Sequence, residues 1–360
     1  MNALWIHAGM PKCGSSALQV FLARHREQLL SAGIDYLPLG DLSRARQGQI
    51  TSGNAGLLSR SLLDPSDAAY VRADGNAYQS LLDAISASEA ESGLISSEFF
   101  AYVGSDAYLR LIADLRARAC VAKCIYYVRR QDQVLISGYM QAVKRHHYCG
   151  YPEDFVRDMA PHNALLNYHD QARRFEAVFG TGNLVVGVYE ATQRHPKGLA
   201  GDFLDKLLGH CPPWVQPQPA INPSPSPVEL KLMLAANQYR PRMRFSDILA
   251  ANSVRSGRSQ LYEPHQILPP ALIKQLIDDF AEQNQRLAAQ DTDGEGFPPY
   301  QELPYVDLKT IPIDTDELMT ILAGFLVNFD QRLATLESSA NRPANVPAAT
   351  PTSRPAAKRA

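Results

Sequence analysis

A glycine-bounded loop between an apolar strand and an amphipathic helix constrains this chain more than any other feature. Leu4-Trp5-Ile6-His7-Ala8 has the length and apolarity of a short buried strand. Gly9-Met10-Pro11-Lys12-Cys13-Gly14 reads as a turn. Ser15-Ser16 then opens a helix whose Leu18, Phe21, Leu22 and Leu29 recur near helical spacing. Strand, glycine loop and helix N-terminus together make a phosphate cradle. Backbone N–H groups can close around an anion, and the helix end adds a favourable field.

Three further strands are expected. Leu94-Ile95-Ser96 ends at Ser97-Glu98, Val121 to Val128 ends at Arg129, and Leu184 to Tyr189 ends at Glu190. Helical patterns lie between them, around Tyr108 to Leu115 and from Asn163 to Val178. Strands alternating with helices imply a mostly parallel sheet flanked by helices, with ligands outside the carboxyl ends of the strands. The second half is more helical. One helix is expected from about Ala271 to Ala289. Another carries Leu318, Ile321, Leu322, Phe325, Leu326, Phe329 and Leu333 on one stripe, read as core packing. The domain is expected over 1–336, with a nucleotide-binding core at about 1–210 and helices at about 220–336. The Ala-, Pro-, Ser- and Arg-rich stretch 337–360 reads as a disordered tail.

Hydrophobic residues make up 45% of the 360 and charged residues 20%, enough apolar material for one large domain. A formal net charge of −2 argues against a nucleic-acid partner held by bulk electrostatics. No apolar run reaches the length of a membrane span, and the first apolar stretch is too short for a signal peptide, so a cytoplasmic location is expected. Cys13, Cys120, Cys124, Cys149 and Cys211 are odd in number and form no paired metal motif. Reduced thiols and no metal are expected.

The spacing of Gly9 and Gly14 is that of a nucleoside triphosphatase loop, yet Ser15 stands where that motif requires Lys. The lysine, Lys12, precedes the second glycine. Pro11-Lys12-Cys13-Gly14-Ser15-Ser16 instead resembles the phosphosulfate loop of the PAPS-dependent sulfotransferases, in particular a bacterial, carbohydrate-sulfotransferase-like branch. A second match lies in Tyr127-Val128-Arg129 with Ser137-Gly138-Tyr139, an Arg at a strand end and a Ser eight residues on. Weaker matches lie at Leu184 to Glu190, Asp202-Phe203-Leu204, Asn222-Pro223-Ser224 and Phe280 to Asn284, so the resemblance spans roughly 4–290. Arg130-Gln131 departs from the Asp-Pro that often follows the Arg. No Gly-rich basic loop is recognisable, and Arg255-Ser256-Gly257-Arg258 reads equally as a substitute or as ordinary surface.

The resemblance implies a P-loop-type three-layer α/β fold with added C-terminal helices, and an enzyme that moves a sulfuryl group from PAPS to an acceptor hydroxyl or amine. It implies that Lys12, Cys13, Gly14, Ser15 and Ser16 hold the 5′-phosphosulfate side, that Arg129 and Ser137 read the 3′-phosphate, and that Tyr189 lines the nucleotide. Lys12 would neutralise the leaving group, and Glu98 would be the base for the acceptor; His7 is an alternative base, although a histidine hydrogen-bonded within the sheet end is the expected role there. Ser96 or Ser97 would touch the transferring group. Lys144-Arg145-His146-His147 reads either as a solvated helix end or as the wall of a cleft for an anionic or glycan acceptor. The competing readings are a nucleotide kinase that uses ATP with Mg²⁺, and a binding protein that has lost catalysis. The oligomeric state is open.

Overall fold

The computed structural model describes residues 1–72, 76–217, 225–239, 244–255, 264–292, 294–312 and 315–340. Five strands form one sheet: β1 (Ala3–Ala8), β2 (Ile34–Tyr36), β3 (Ser92–Ser97), β4 (Val121–Val128) and β5 (Leu184–Val188). Their order is β2-β3-β1-β4-β5, and every neighbouring pair is parallel. Ile6 stands between Ile95 and Cys124 in the register. Central strands covered on both faces are largely apolar, which is why β1 and β4 are legible as runs, whereas β3 carries only Leu94 and Ile95 between serines and a glycine. Chain connections from β1 and β3 diverge to opposite sides, so the carboxyl ends of β1, β3 and β4 bound a crevice.

Adjacent residues of one strand show that both faces are covered. Tyr126 meets Phe175 edge-on at 5.2 Å, whereas Tyr127 lies 6.4 Å from Phe203. Consecutive strand side chains point to opposite faces, so these two phenylalanines sit on opposite sides of the sheet. Phe175 belongs to α9 (Tyr168–Phe179) and Phe203 to α10 (Gly198–Leu208). The helices of the first part are α1 (Ser15–Arg24), α2 (Arg26–Ser31), α3 (Ser43–Arg46), α4 (Gly56–Ser61), α5 (Asn76–Ala87) and α6 (Ser105–Arg116). They continue as α7 (Gln131–Arg145), α8 (Pro152–Met159), α9 (Tyr168–Phe179) and α10 (Gly198–Leu208). The expected three-layer α/β arrangement is what the chain forms.

The C-terminal helices are α11 (Pro227–Asn237), α12 (Arg244–Arg255), α13 (Pro270–Asp279), α14 (Ala281–Asp291) and α15 (Thr315–Ala340). α11, α12 and α15 build a second apolar cluster with α7, in which Tyr139, Val143, Met233, Leu249 and Ile321 are buried, while Ile273 and Leu276 of α13 pack with Leu135 in a third. α11 starts at a reciprocal cap: Ser226 accepts from the Glu229 N–H, and the Glu229 carboxylate accepts from the Ser226 N–H. Such a cap is worth about 1 kcal/mol.

Three expectations change. The single helix expected over 271–289 is two helices that break at Phe280, whose backbone leaves the helical region (φ −101°, ψ 1°). α15 runs to Ala340, four residues past the expected boundary at 336; residues 341–360 lie outside the described residues. The stripe read as core on α15 is split. Ile321 and Phe325 pack inward, whereas Leu322, Leu326, Phe329 and Leu333 are exposed. No helix among the described residues is long and apolar enough to cross a membrane.

Candidate active site

The site is built around the exit of β1. Gly9 leaves the strand with its N–H on the Ser97 carbonyl at 3.1 Å. A Cβ there would lie 2.9 Å from the Ser15 Cβ and 3.3 Å from the Glu98 Cα, so only glycine lets the loop pass this close to the end of β3. Gly14 enters α1 in the left-handed region (φ 77°), and a Cβ on it would run into the rings and methyls of Tyr189 and Leu199. No side chain caps α1. Its first N–H groups therefore point out of the loop as donors, the arrangement that suits an anion.

Lys12 also takes a left-handed backbone, at φ 68°, which a β-carbon makes costly. Its ammonium donates to the Gln141 Oε1 on α7. Burial pulls its pKa down to about 8; Glu98 opposes that shift, while Lys144 and Arg129 add to it. One carboxylate and three cations thus converge on the loop. Arg129 follows β4, and its Nη1 donates to the Lys12 carbonyl at 3.0 Å. Its guanidinium lies 5.0 Å from the centre of the Tyr189 ring. The Arg129 carbonyl accepts from the Tyr168 hydroxyl at 2.6 Å, which fixes the strand end. The Arg129 Nε is buried without a hydrogen-bond partner. A buried donor left unpaired is costly, and an anion seated beside it would remove that cost.

Glu98 opens a 3-10 turn (Glu98–Tyr102) directly after β3. The cap of that turn is Ser97, whose Oγ accepts from the Phe99 N–H at 3.3 Å, so the Glu98 carboxylate is not used as a cap. Burial raises its pKa, and Lys12 partly offsets the rise. A half-buried carboxylate beside a half-buried ammonium is a pair suited to accepting and countering charge.

Four residues around the loop are fixed by the fold itself. Ser96 and Ser97 are fully buried. Ser96 Oγ is 2.8 Å from His7 Nδ1, and Ser97 Oγ accepts from Ser59 Oγ at 2.8 Å. Both hydroxyls are spent inside the fold. His7 is buried too, its ring edge on Phe203, and burial lowers its pKa to about 3. It is a neutral structural histidine there. Cys13 is buried, and burial pushes its thiol up, so it contributes backbone rather than a thiolate.

Ser137 lies on α7 one turn before Gln141, on the same helix face. The basic run after it divides. Lys144 is near enough to lower the Lys12 pKa, and burial lowers its own; Arg145 pairs with Asp247 at 2.6 Å. Arg130 turns away to Asp132 at 2.7 Å, and Gln131 exchanges hydrogen bonds with Asn284. That pair gives the Phe280 to Asn284 stretch its structural role. Gln141 is an addition that sequence spacing does not reveal, whereas Glu190 is the polar strand end expected after Tyr189. Glu190 Oε1 accepts from the Arg130 N–H at 3.0 Å, and its other oxygen is buried without a partner. Asn222-Pro223-Ser224 and Ser256-Gly257-Arg258 lie outside the described residues. Among the described residues no cluster of His, Cys, Asp or Glu is arranged to hold a metal ion.

No protein-family model matches the chain, and no curated protein matches it. Among solved structures the chain is similar to a sulfotransferase from Alicyclobacillus acidocaldarius, determined by crystallography. The two share 16% identity at a TM-score of 0.45, over 80% of this chain and 95% of that one. A likeness this distant says nothing about activity.

Proposed function

We propose that the protein is a sulfotransferase that moves a sulfuryl group from PAPS to an acceptor hydroxyl or amine, with a carbohydrate or glycoconjugate as the acceptor class. The observation that carries this reading is the convergence of Lys12, Arg129 and Glu98 on a glycine loop that lacks the Gly-Lys-Ser/Thr of the triphosphatases. The buried, unpartnered Arg129 Nε and the uncapped start of α1 fit the two phosphate groups of such a donor. PAPS supplies the sulfuryl group and a nucleotide bisphosphate leaving group. Gly14, Ser15 and Ser16 hold the 5′-phosphate with N–H groups and hydroxyls. Arg129 and Ser137 take the 3′-phosphate, and Tyr189 lines the nucleotide beside them.

Glu98 accepts the acceptor's proton as the new oxygen–sulfur (or nitrogen–sulfur) bond forms. The bond between sulfur and the bridging oxygen breaks, and its electron pair stays on the phosphate oxygen. Lys12, a compact point charge, neutralises that oxygen. The five cysteines form no disulfide, which fits work in the reducing cytoplasm.

Calorimetry of the wild-type chain with adenosine 3′,5′-bisphosphate and with ATP plus Mg²⁺ tests this reading. Metal-independent binding of the bisphosphate, with ATP much weaker, is expected. A preference for Mg-ATP would replace the sulfotransferase reading with a nucleotide kinase. Bisphosphate binding with no turnover on any acceptor would leave a nucleotide-binding protein.

A further inference from the structure

The strongest unused feature of the molecule is the outer face of α15. Met319, Leu322, Leu326, Phe329, Leu333 and Leu336 follow one another at spacings of three, four, three, four and three residues. That is an unbroken heptad seam. All six are exposed, from 39% at Leu322 to 66% at Leu326. The inward face is a different row, in which Ile321 is buried and Phe325 lies 5.4 Å from the Phe245 ring. From Phe329 to Glu337 every residue is exposed, so among the described residues none buries the seam side chains Phe329, Leu333 and Leu336. A helix face this apolar is not stable against water alone, and patches of this size mark association surfaces.

We infer that α15 pairs with α15 of a second copy of this chain, as a parallel, in-register two-stranded coiled coil that makes the protein a symmetric dimer. Three observations select this occupant. A strict seam of alternating three- and four-residue steps fits another helix of the same period, rather than a strand or a flat surface. The seam is self-complementary, as a two-fold interface must be. Covering six such side chains on each chain removes on the order of 1,200 Å² in total, the lower edge of what specific stable interfaces bury.

The flanking charges set the direction. With Met319, Leu326 and Leu333 at the first seam position, Arg332 flanks the seam on one side, and Asp330 and Glu337 flank it on the other. In a parallel pair, opposite flanks meet, and Arg332 faces Glu337 of the partner subunit. In an antiparallel pair, like flanks meet, which sets Arg332 against Arg332 of the partner subunit and carboxylate against carboxylate.

Sedimentation of the full chain over a range of concentrations tests the inference. A mass twice that of one chain is expected. A single-chain mass at every concentration would overturn it, and so would a trimer or tetramer. The double variant Leu326→Glu/Leu333→Glu changes exposed positions only. It should sediment as a single chain while its near-ultraviolet circular dichroism, which reports the folded core, stays that of the wild type. A dimer that persists in this variant overturns the assignment.

Direction is read separately. Leu336→Cys in a Cys149→Ala/Cys211→Ala background should crosslink to itself under mild oxidation, because a parallel seam sets the two copies of position 336 together. A dimer that gives no crosslink overturns the parallel assignment. Arg332→Glu should weaken the dimer by about 2- to 10-fold, and adding Glu337→Arg should restore it. Failure of the reversed pair to restore it overturns the charge pairing.

Discussion

The loop at the end of β1 and the outer face of α15 break opposite rules. In the loop, polar groups are withdrawn from water: Lys12 is drawn in far enough to lower its pKa, and an Arg129 nitrogen is buried with no partner. On α15, large apolar side chains are left in water. Each violation costs the isolated chain stability, and each is relieved by a partner of a particular kind. An anion would relieve the first and an apolar helix the second. Unpartnered buried atoms occur elsewhere too, at Arg173 and Asp291 for example, but beside the loop they coincide with an uncapped helix start.

Variants should separate the two regions cleanly. The largest effect is expected at Lys12. Lys12→Ala should lower turnover by roughly 10²- to 10³-fold, since it removes one charge aimed at the leaving group, and should leave binding of adenosine 3′,5′-bisphosphate nearly unchanged. Equal losses in both would make Lys12 a binding residue only. Glu98→Gln should lower turnover by about 10²-fold or more with donor affinity intact, as measured by calorimetry beside steady-state rates. Near-normal rates would remove Glu98 as the base.

Arg129→Ala should weaken bisphosphate binding by about 10- to 100-fold, the range for a charged hydrogen-bonding partner. The analogue without the 3′-phosphate should bind both proteins alike. If both nucleotides weaken together, the 3′-phosphate contact lies elsewhere. The smallest effect belongs to the other region. Leu326→Glu/Leu333→Glu should leave turnover within about twofold, because surface changes remote from a site are usually near neutral. A large loss would show that the two regions are coupled.

The pH profile of kcat/KM sharpens the first region alone. Lys12 is charged below about pH 8 in the free protein and neutral above it, so the rate should fall as pH rises through that value. Glu98 has a raised pKa, so its ability to accept a proton is lost on acidification sooner than for an ordinary carboxylate. The profile is expected to be a bell. Lys12→Arg should move its alkaline limb upward, and Glu98→Gln should remove its acid limb.

The sequence exposes those parts of the fold whose physics is local. β1, β4 and β5 are readable because they are largely apolar runs, and β3 from Leu94-Ile95 before a polar strand end. β2 escapes, being only three residues with a charged one in the middle. Asp35 is tolerated because Arg26 and Ser88 hold its carboxylate, at 2.8 and 2.9 Å. The loop glycines are readable because no other residue fits their backbone. Gln141 is not, because it lies 129 residues from the lysine it holds. Ser96 and Ser97 mislead because a strand-end hydroxyl looks the same whether it faces a ligand or a buried histidine. The α15 stripe misleads in the same way, since periodicity gives the width of an apolar face and not what lies against it.

Lys12 is the residue whose conformation has the furthest consequence. A non-glycine residue held at φ 68° costs about 1 to 2 kcal/mol, and the drop in its pKa shows that folding also disfavours its charge at neutral pH. Replacing it with glycine removes both penalties while deleting the amine. Lys12→Gly should therefore melt higher than the parent protein and turn over far less. At this position, selection for thermal robustness and selection for catalysis pull in opposite directions, so stabilising the protein by random screening would tend to kill it here first.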